Sequence, residues 1–417
     1  MAEKRYVAHA FQAAQVDTAT PANVEIGDVF TMKLADAAGR EYTLTYTAAA
    51  ATVKDACDGL TAAAAVADAA GYAPWNACAT TDDDSVVTVT ADSADAPFTL
   101  TCTATNGGAA DTQDLTRDAS TACDGPGRWA SALNWSGEAL PAANDDLLMP
   151  AELTATIHGS DTTGTVYSSL TIEAGCTAAV GTSANYLQID VGGTGDSVVD
   201  LAGSGSVYLD VDNAAEINVT GGSTSGGYAA GAWPINLKGL DNAECNIAPP
   251  ADTDVKVQFA NLAGDGAAEC TAFVVAAGEL TIGPSVTQAD GASAVTITAS
   301  GGAVYCRSAA GTVTLTGDAD YCQVAGAVAT IHAMTSGTVE VLSETTITAL
   351  HLGPHAHLDL TRGEGAVTVT DSTLYIARSS GAKITDPANR LTRTNASTIK
   401  RSGSGYVQIL TGAAASA

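Results

Sequence analysis

Residues 293–331 read SAVTITASGGAVYCRSAAGTVTLTGDADYCQVAGAVATI. Short alternating runs follow one another in this stretch about every nine residues: VTIT at 295–298, VYC at 304–306, VTLT at 313–316, YCQV at 321–324 and VATI at 328–331. Gly, Ala, Ser or Asp separates them. Apolar residues two apart mark a strand with one buried face. Such spacing leaves no room for helices between the strands, and self-similarity of this kind marks a stacked architecture. The phrase continues through VEVL at 339–342, TITAL at 346–350, LDL at 358–360, VTVT at 367–370 and LYI at 374–376. The expected fold is therefore mainly β: a right-handed parallel β-helix (β-solenoid) preceded by a small α+β domain.

Earlier runs belong to the same pattern: SLTI at 169–172, YLQI at 186–189, SVVDL at 197–201, VYLDV at 207–211, EINV at 216–219 and INL at 235–237. They place one solenoid over 151–410, with a tail at 411–417. At roughly 20–25 residues per rung this gives about a dozen rungs, spaced ~4.8 Å apart.

Composition agrees with a thin core. The 417-residue chain is 15% charged and 5% aromatic, which suits a core one strand-width across, filled by small and β-branched side chains. The formal charge of −29 argues against nucleic acid as a partner, because phosphate contacts need Lys and Arg. It also disfavours an anionic membrane. Lys and Arg are absent between Trp129 and Leu237, whereas Arg378, Lys383, Arg390, Arg393, Lys400 and Arg401 gather near the C-terminal end. These six are the expected docking or assembly residues. The nine cysteines are odd in number and include no C-x-x-C, so a zinc ribbon is unsupported. Cys306 and Cys322 read as small core residues. The opening MAEKRY lacks the apolar stretch of a signal peptide, and no run is long enough to span a bilayer.

Ahead of the solenoid, residues 1–20 read as an arm and 21–105 as a compact module. DVFTMKL at 28–34 and EYTLTY at 41–46 form a hairpin around the turn at 36–39. Residues 52–70 form a helix capped by Thr52 and ended by Gly71, with Val53, Cys57, Leu60 and Ala64 on one face. Strands follow at 85–90 and 97–103. This β-β-α-β-β module, with its helix ATVKDACDGLTAAAA and its closing VVTVTADSADAPFTLT, resembles an add-on domain of tailed-phage virion proteins. Residues 106–127 are a linker by composition. The segment 128–150, RWASALNWSGEALPAANDDLLMP, is similar to one that precedes β-helical repeats in phage and bacterial surface proteins. It suits a cap, with Trp129 and Trp135 covering the open end of the first rung. Together these features resemble a tailed-phage virion structural protein with a pectin-lyase-like body.

Candidate sites are few. Asp145 and Asp146 are adjacent, so in a strand they point to opposite faces and make no facing acid pair. GGTGDS at 192–197 departs by one position from the calcium-binding nonapeptide, while Asp210 and Asp212 share a strand face where Ca²⁺ could bind. His351, His355, His357 and Asp359 cluster in sequence. His355 and His357 would project to one side of a strand and could hold a transition metal. No cofactor is otherwise implied.

The expected function is a non-enzymatic structural component of a phage virion, capsid decoration or tail-associated, made in the host cytoplasm. Its expected partners are copies of itself in a homo-oligomer, a trimer among the options, and other virion proteins. The competing readings are a carbohydrate-binding or depolymerising tail spike, which would engage a host-surface glycan, and a bacterial surface adhesin.

Overall fold

The computed structural model describes residues 2–36, 40–94, 97–158, 164–183, 185–221, 234–250, 255–262, 265–288, 294–317, 321–334, 336–370, 375–377, 382–386, 388, 390–393, 400–402 and 408–411. In 375–377, 392–393, 400–402 and 408–411 the backbone alone is described. The chain divides into two compact units: residues 7–140 with 155–160, and residues 1–6, 141–154 and 161–417.

In the first unit, alternation along Val29–Asp36 buries Phe30, Met32 and Leu34 completely. This strand is the centre of a three-stranded antiparallel sheet, between Glu41–Thr47 and Phe98–Thr105. The helix runs Val53–Ala69 and buries Ala56, Cys57, Leu60, Ala64 and Ala67. Thr52 caps it, its hydroxyl accepting a hydrogen bond from the Asp55 amide at 3.2 Å. Gly71, at φ +73°, ends it in the left-handed region that glycine enters without a Cβ clash.

A second antiparallel sheet has the order Cys78–Asp82, Val87–Ala91, Val16–Ala22, Asp114–Thr121. It corrects two expectations. The arm at 1–20 contributes strand residues, and the linker at 106–127 contains an edge strand. Asp114–Thr121 buries Leu115 alone, so it has no apolar alternation to betray it. Its anchor is electrostatic: Arg117 Nη2 lies 2.6 Å from Oδ2 of Asp17, whose side chain is fully buried.

The second unit is built on long parallel sheets. A 14-stranded sheet and an 11-stranded sheet take strands alternately along much of the chain, and a 3-stranded sheet joins them late. Outside the pairing of the first strand, registered residues in neighbouring strands are 15 to 29 positions apart in sequence. This arrangement is compatible with a solenoid. Inward positions stack into apolar ladders. In the larger sheet, Leu147, Leu170, Val199, Ile217, Cys245, Phe273, Ile297, Val313, Ile331 and Leu350 are successive partners. In the smaller, Leu187, Leu209, Leu237, Phe259, Ile282, Cys306, Val324 and Val341 are. None is more than 1% exposed. Full burial of one such aliphatic or aromatic side chain contributes about 1.5–3 kcal/mol. Phe259 and Phe273, one from each sheet, meet edge to face at 5.2 Å, so the two ladders share a core. Cys306 and Cys322 are buried within it.

The outermost place in the larger sheet, beyond Asp146–Met149, is taken by Glu3–Arg5, paired in parallel. Three residues more than a hundred positions from their partner give no sequence signal for this pairing.

Candidate functional site: the polar face of the 11-stranded sheet

Period-two alternation turns Tyr305, Tyr321, Gln323, Glu340 and Asp359 to the side of the smaller sheet opposite its core. Register assembles them from four strands. Tyr305 of Ala303–Cys306 pairs with Gln323 of Tyr321–Val324, which pairs with Glu340 of Thr338–Val341 and that in turn with Asp359 of His357–Asp359. Beside this row runs Ala303, Tyr321, Thr338, His357 and Lys383.

Glu340 is the centre. It faces away from the core, yet it is only 3% exposed. A carboxylate so buried needs donors to offset its lost hydration. Gln323 Nε2 donates to its Oε2 at 2.6 Å, the Tyr321 hydroxyl donates to the same oxygen, and Arg362 Nε lies 3.7 Å from Oε1. Gln323 also donates to the Tyr321 hydroxyl oxygen at 3.0 Å. Burial, reinforced by the Glu340 carboxylate, holds the Tyr321 phenol well above its usual range, so it stays protonated and remains a donor. The Tyr305 and Tyr321 rings lie 5.6 Å apart, tilted by 54°. The arrangement offers aromatic surface flanked by amide, carboxylate and guanidinium groups, a set that suits a ligand with both C–H faces and hydroxyls.

Acid–base chemistry is poorly served. Glu340 and Asp359 are registered neighbours, and strand spacing alone sets them about 4.8 Å apart. However, Glu340 is enclosed by its donors, and Asp359 Oδ1 already accepts from the Thr361 amide at 2.9 Å and its hydroxyl at 2.5 Å.

The sequence-derived candidates are dispersed. His357 lies between two hydroxyls, with Nε2 2.9 Å from Thr385 Oγ1 and Nδ1 3.5 Å from Thr338 Oγ1. Burial lowers its pKa, Lys383 adds to that effect and Asp359 opposes it. His355 does not share its strand face: it occupies an exposed turn at φ +61° before the strand begins. Pro354 and the turn break the alternation on which the pair depended.

Asp210 pairs in register with Lys238, whose Nζ is 3.4 Å from Oδ2 and 4.5 Å from the centre of the Tyr186 ring. Asp212 accepts from the Leu240 amide at 2.7 Å. Its pKa is raised by burial first and by nearby Asp210, Asp190 and Asp241 after that. Lys238 thus supplies the counter-charge that calcium would bring to Asp210.

The expected docking set loses a member. Arg390 is 6% exposed, its guanidinium spent on backbone carbonyls. Lys383 sits half-buried in Lys383–Asp386. Arg393, Lys400 and Arg401 fall in strands Leu391–Arg393 and Lys400–Ser402, of which the backbone alone is described, and Arg378 lies outside the described residues.

Trp129 and Trp135 are buried in the first unit, edge to face at 4.7 Å, with Trp135 Nε1 donating to the Trp129 carbonyl at 2.9 Å. The segment read as a cap, 128–150, divides after residue 140 between the two units.

Among the described residues, Asp58, Asp82 and Asp84 bring carboxylate oxygens within 4.8 Å of one another. Lys54 already pairs with two of them, bonded to Asp84 and 3.2 Å from Asp58. No described helix is long and apolar enough to cross a membrane.

Compared with known proteins, the chain matches no family model, no curated protein and no solved structure.

Proposed function

We propose that this chain is a non-enzymatic structural component of a phage virion, a capsid-decoration or tail-associated protein with a right-handed β-solenoid body. The right-handed sense follows from the general handedness of parallel crossovers. The observation that carries the reading is the pair of apolar ladders running through successive parallel strands. Repetition of this kind produces length and stiffness from nearest-neighbour contacts, as a spacer requires. The enclosed state of Glu340 favours a structural or binding role over cleavage. The high negative charge keeps densely displayed copies soluble. Assembly would be as a homo-oligomer on other virion proteins, through the basic residues outside the core. Mass spectrometry of purified virions, followed by cryo-EM of the particle, tests this. Absence of the chain from the particles would end the proposal.

A second reading, glycan binding on the polar face of the smaller sheet, is favoured by the Tyr305–Tyr321 pair above Gln323 and Glu340. Glycan-array binding by the wild type that is lost in Tyr321→Ala would support it, and an array without signal would remove it.

A further inference from the structure

His332 and His351 stand in register on adjacent strands of the 14-stranded sheet, Val328–Ala333 and Ala349–Leu352. Their sequence neighbours Ile331, Ala333, Leu350 and Leu352 are all fully buried. Alternation therefore turns both imidazoles to the opposite face, where each is half-exposed. The ring centroids are 4.7 Å apart and the planes are tilted by 56°.

We propose that His332 and His351 form a two-imidazole site for a divalent transition-metal ion of the zinc, copper or nickel type. The ladder fixes the two backbones at strand spacing, so side-chain torsions alone remain to be set. Two nitrogens each about 2.0–2.1 Å from one ion are then a small rotation away from the tilted pair. The surroundings select the ion class. Toward lower numbers the same row continues through Thr314 and Thr298, and the parallel row on this face holds Ala349, Thr330, Thr312 and Thr296; toward higher numbers His351 is in register with Tyr375, and Tyr375 with Lys400. None of the residues directly in register with either histidine carries charge. Without a carboxylate the site is wrong for calcium or magnesium, whereas imidazole nitrogen suits zinc, copper and nickel. The cationic residue of the row, Lys400, stands two strands beyond His351, about 9–10 Å away at strand spacing. The remaining coordination positions would hold water. The overall charge of −29 favours cation capture.

The test is isothermal titration of the tag-free, full-length protein with ZnCl₂, NiCl₂ and CuCl₂ at pH 7.5. The companion proteins are His332→Gln, His351→Gln and the double variant, with His355→Gln and His357→Gln as controls. One-to-one binding is expected. Either single variant should weaken it at least roughly tenfold, the low end of what loss of even an outer-shell partner costs, and the double variant should abolish it. The two controls should match the wild type. Circular dichroism checks that the variants fold. Independently of any variant, the wild type loaded with one equivalent of Cu²⁺ should give an electron paramagnetic resonance spectrum with coupling to two equivalent imidazole nitrogens. It should lose that signature on acidification, because a metal-bound imidazole must be deprotonated. No binding by the wild type, binding that survives the double variant, or a copper spectrum without paired nitrogen coupling would each overturn the proposal.

Discussion

The guanidinium of Arg390 reaches back 49 positions to donate to the carbonyl oxygen of Val341 at 2.9 Å. It does the same for Ser343, Leu360, Glu364 and Gly365 at 2.8–3.2 Å. The backbone amides of Arg390 and Leu391 in turn donate to the buried Asp386 carboxylate, each at 2.8 Å. One cation thus ties together main-chain turns that the ladder hydrogen bonds leave open. Arg390→Met is expected to destabilise the second unit by at least about 1–3 kcal/mol, the cost of leaving buried acceptors without their donor. Urea unfolding read by amide exchange across Lys383–Asp386 checks this, and a loss below ~1 kcal/mol would contradict the assignment.

Glu340 is expected to behave as an acceptor hub. Glu340→Ala leaves the Tyr321 hydroxyl and Gln323 amide without their shared acceptor, at a cost of about 1–3 kcal/mol. Glu340→Gln should lower the Tyr321 pKa, because the carboxylate is one of the two main influences raising it. Ultraviolet titration of the phenols should then show one tyrosine ionising earlier than in the wild type. An unchanged titration would refute the coupling.

His357 should make stability depend on pH in one direction. Its pKa in the folded state lies below the ordinary value, so folding favours the neutral ring. The contribution is complete above the unfolded value, about 6.5. It is lost as pH falls from there through the folded value. Melting curves between pH 7.5 and 5 should show a smaller decline for His357→Gln than for the wild type. Equal declines would show that the ring does not couple to folding.

Thr52→Ala should cost the first unit about 1 kcal/mol, the usual price of an N-cap. The effect should appear in denaturant unfolding and be largely recovered by Thr52→Asp. If Thr52→Ala is neutral, the hydroxyl hydrogen bond to Asp55 contributes nothing.

What the sequence conveyed was periodic. The run at 293–331 reveals its strands because Val295, Ile297, Val313 and Ile331 repeat an inward position that nothing else would fill. The helix at Val53–Ala69 was legible from its cap, apolar face and terminal glycine. Register was not legible, and the site depends on it. Glu340 meets Tyr321 and Gln323, and His332 meets His351, through offsets set by loop length, which varies between strands. His355 and His357 do not pair because strand alternation does not extend back through the turn at Pro354 and His355. Arg390 was misread because charge implies exposure unless neutral carbonyls converge on it. Asp114–Thr121 escaped because an edge strand can be almost wholly polar.

The pairing of Glu3–Arg5 with Asp146–Met149 also bears on the order of biosynthesis. Ala2 donates to Asp145 Oδ1 across 143 positions. At ordinary translation speeds those residues emerge roughly 7–30 s apart. Until then Glu3–Arg5 has no strand of the large sheet to pair with. Residues 7–140 of the antiparallel unit are synthesised within this interval. Ribosome-bound chains should therefore protect Tyr6 from exchange or labelling only after residue 149 has cleared the exit tunnel.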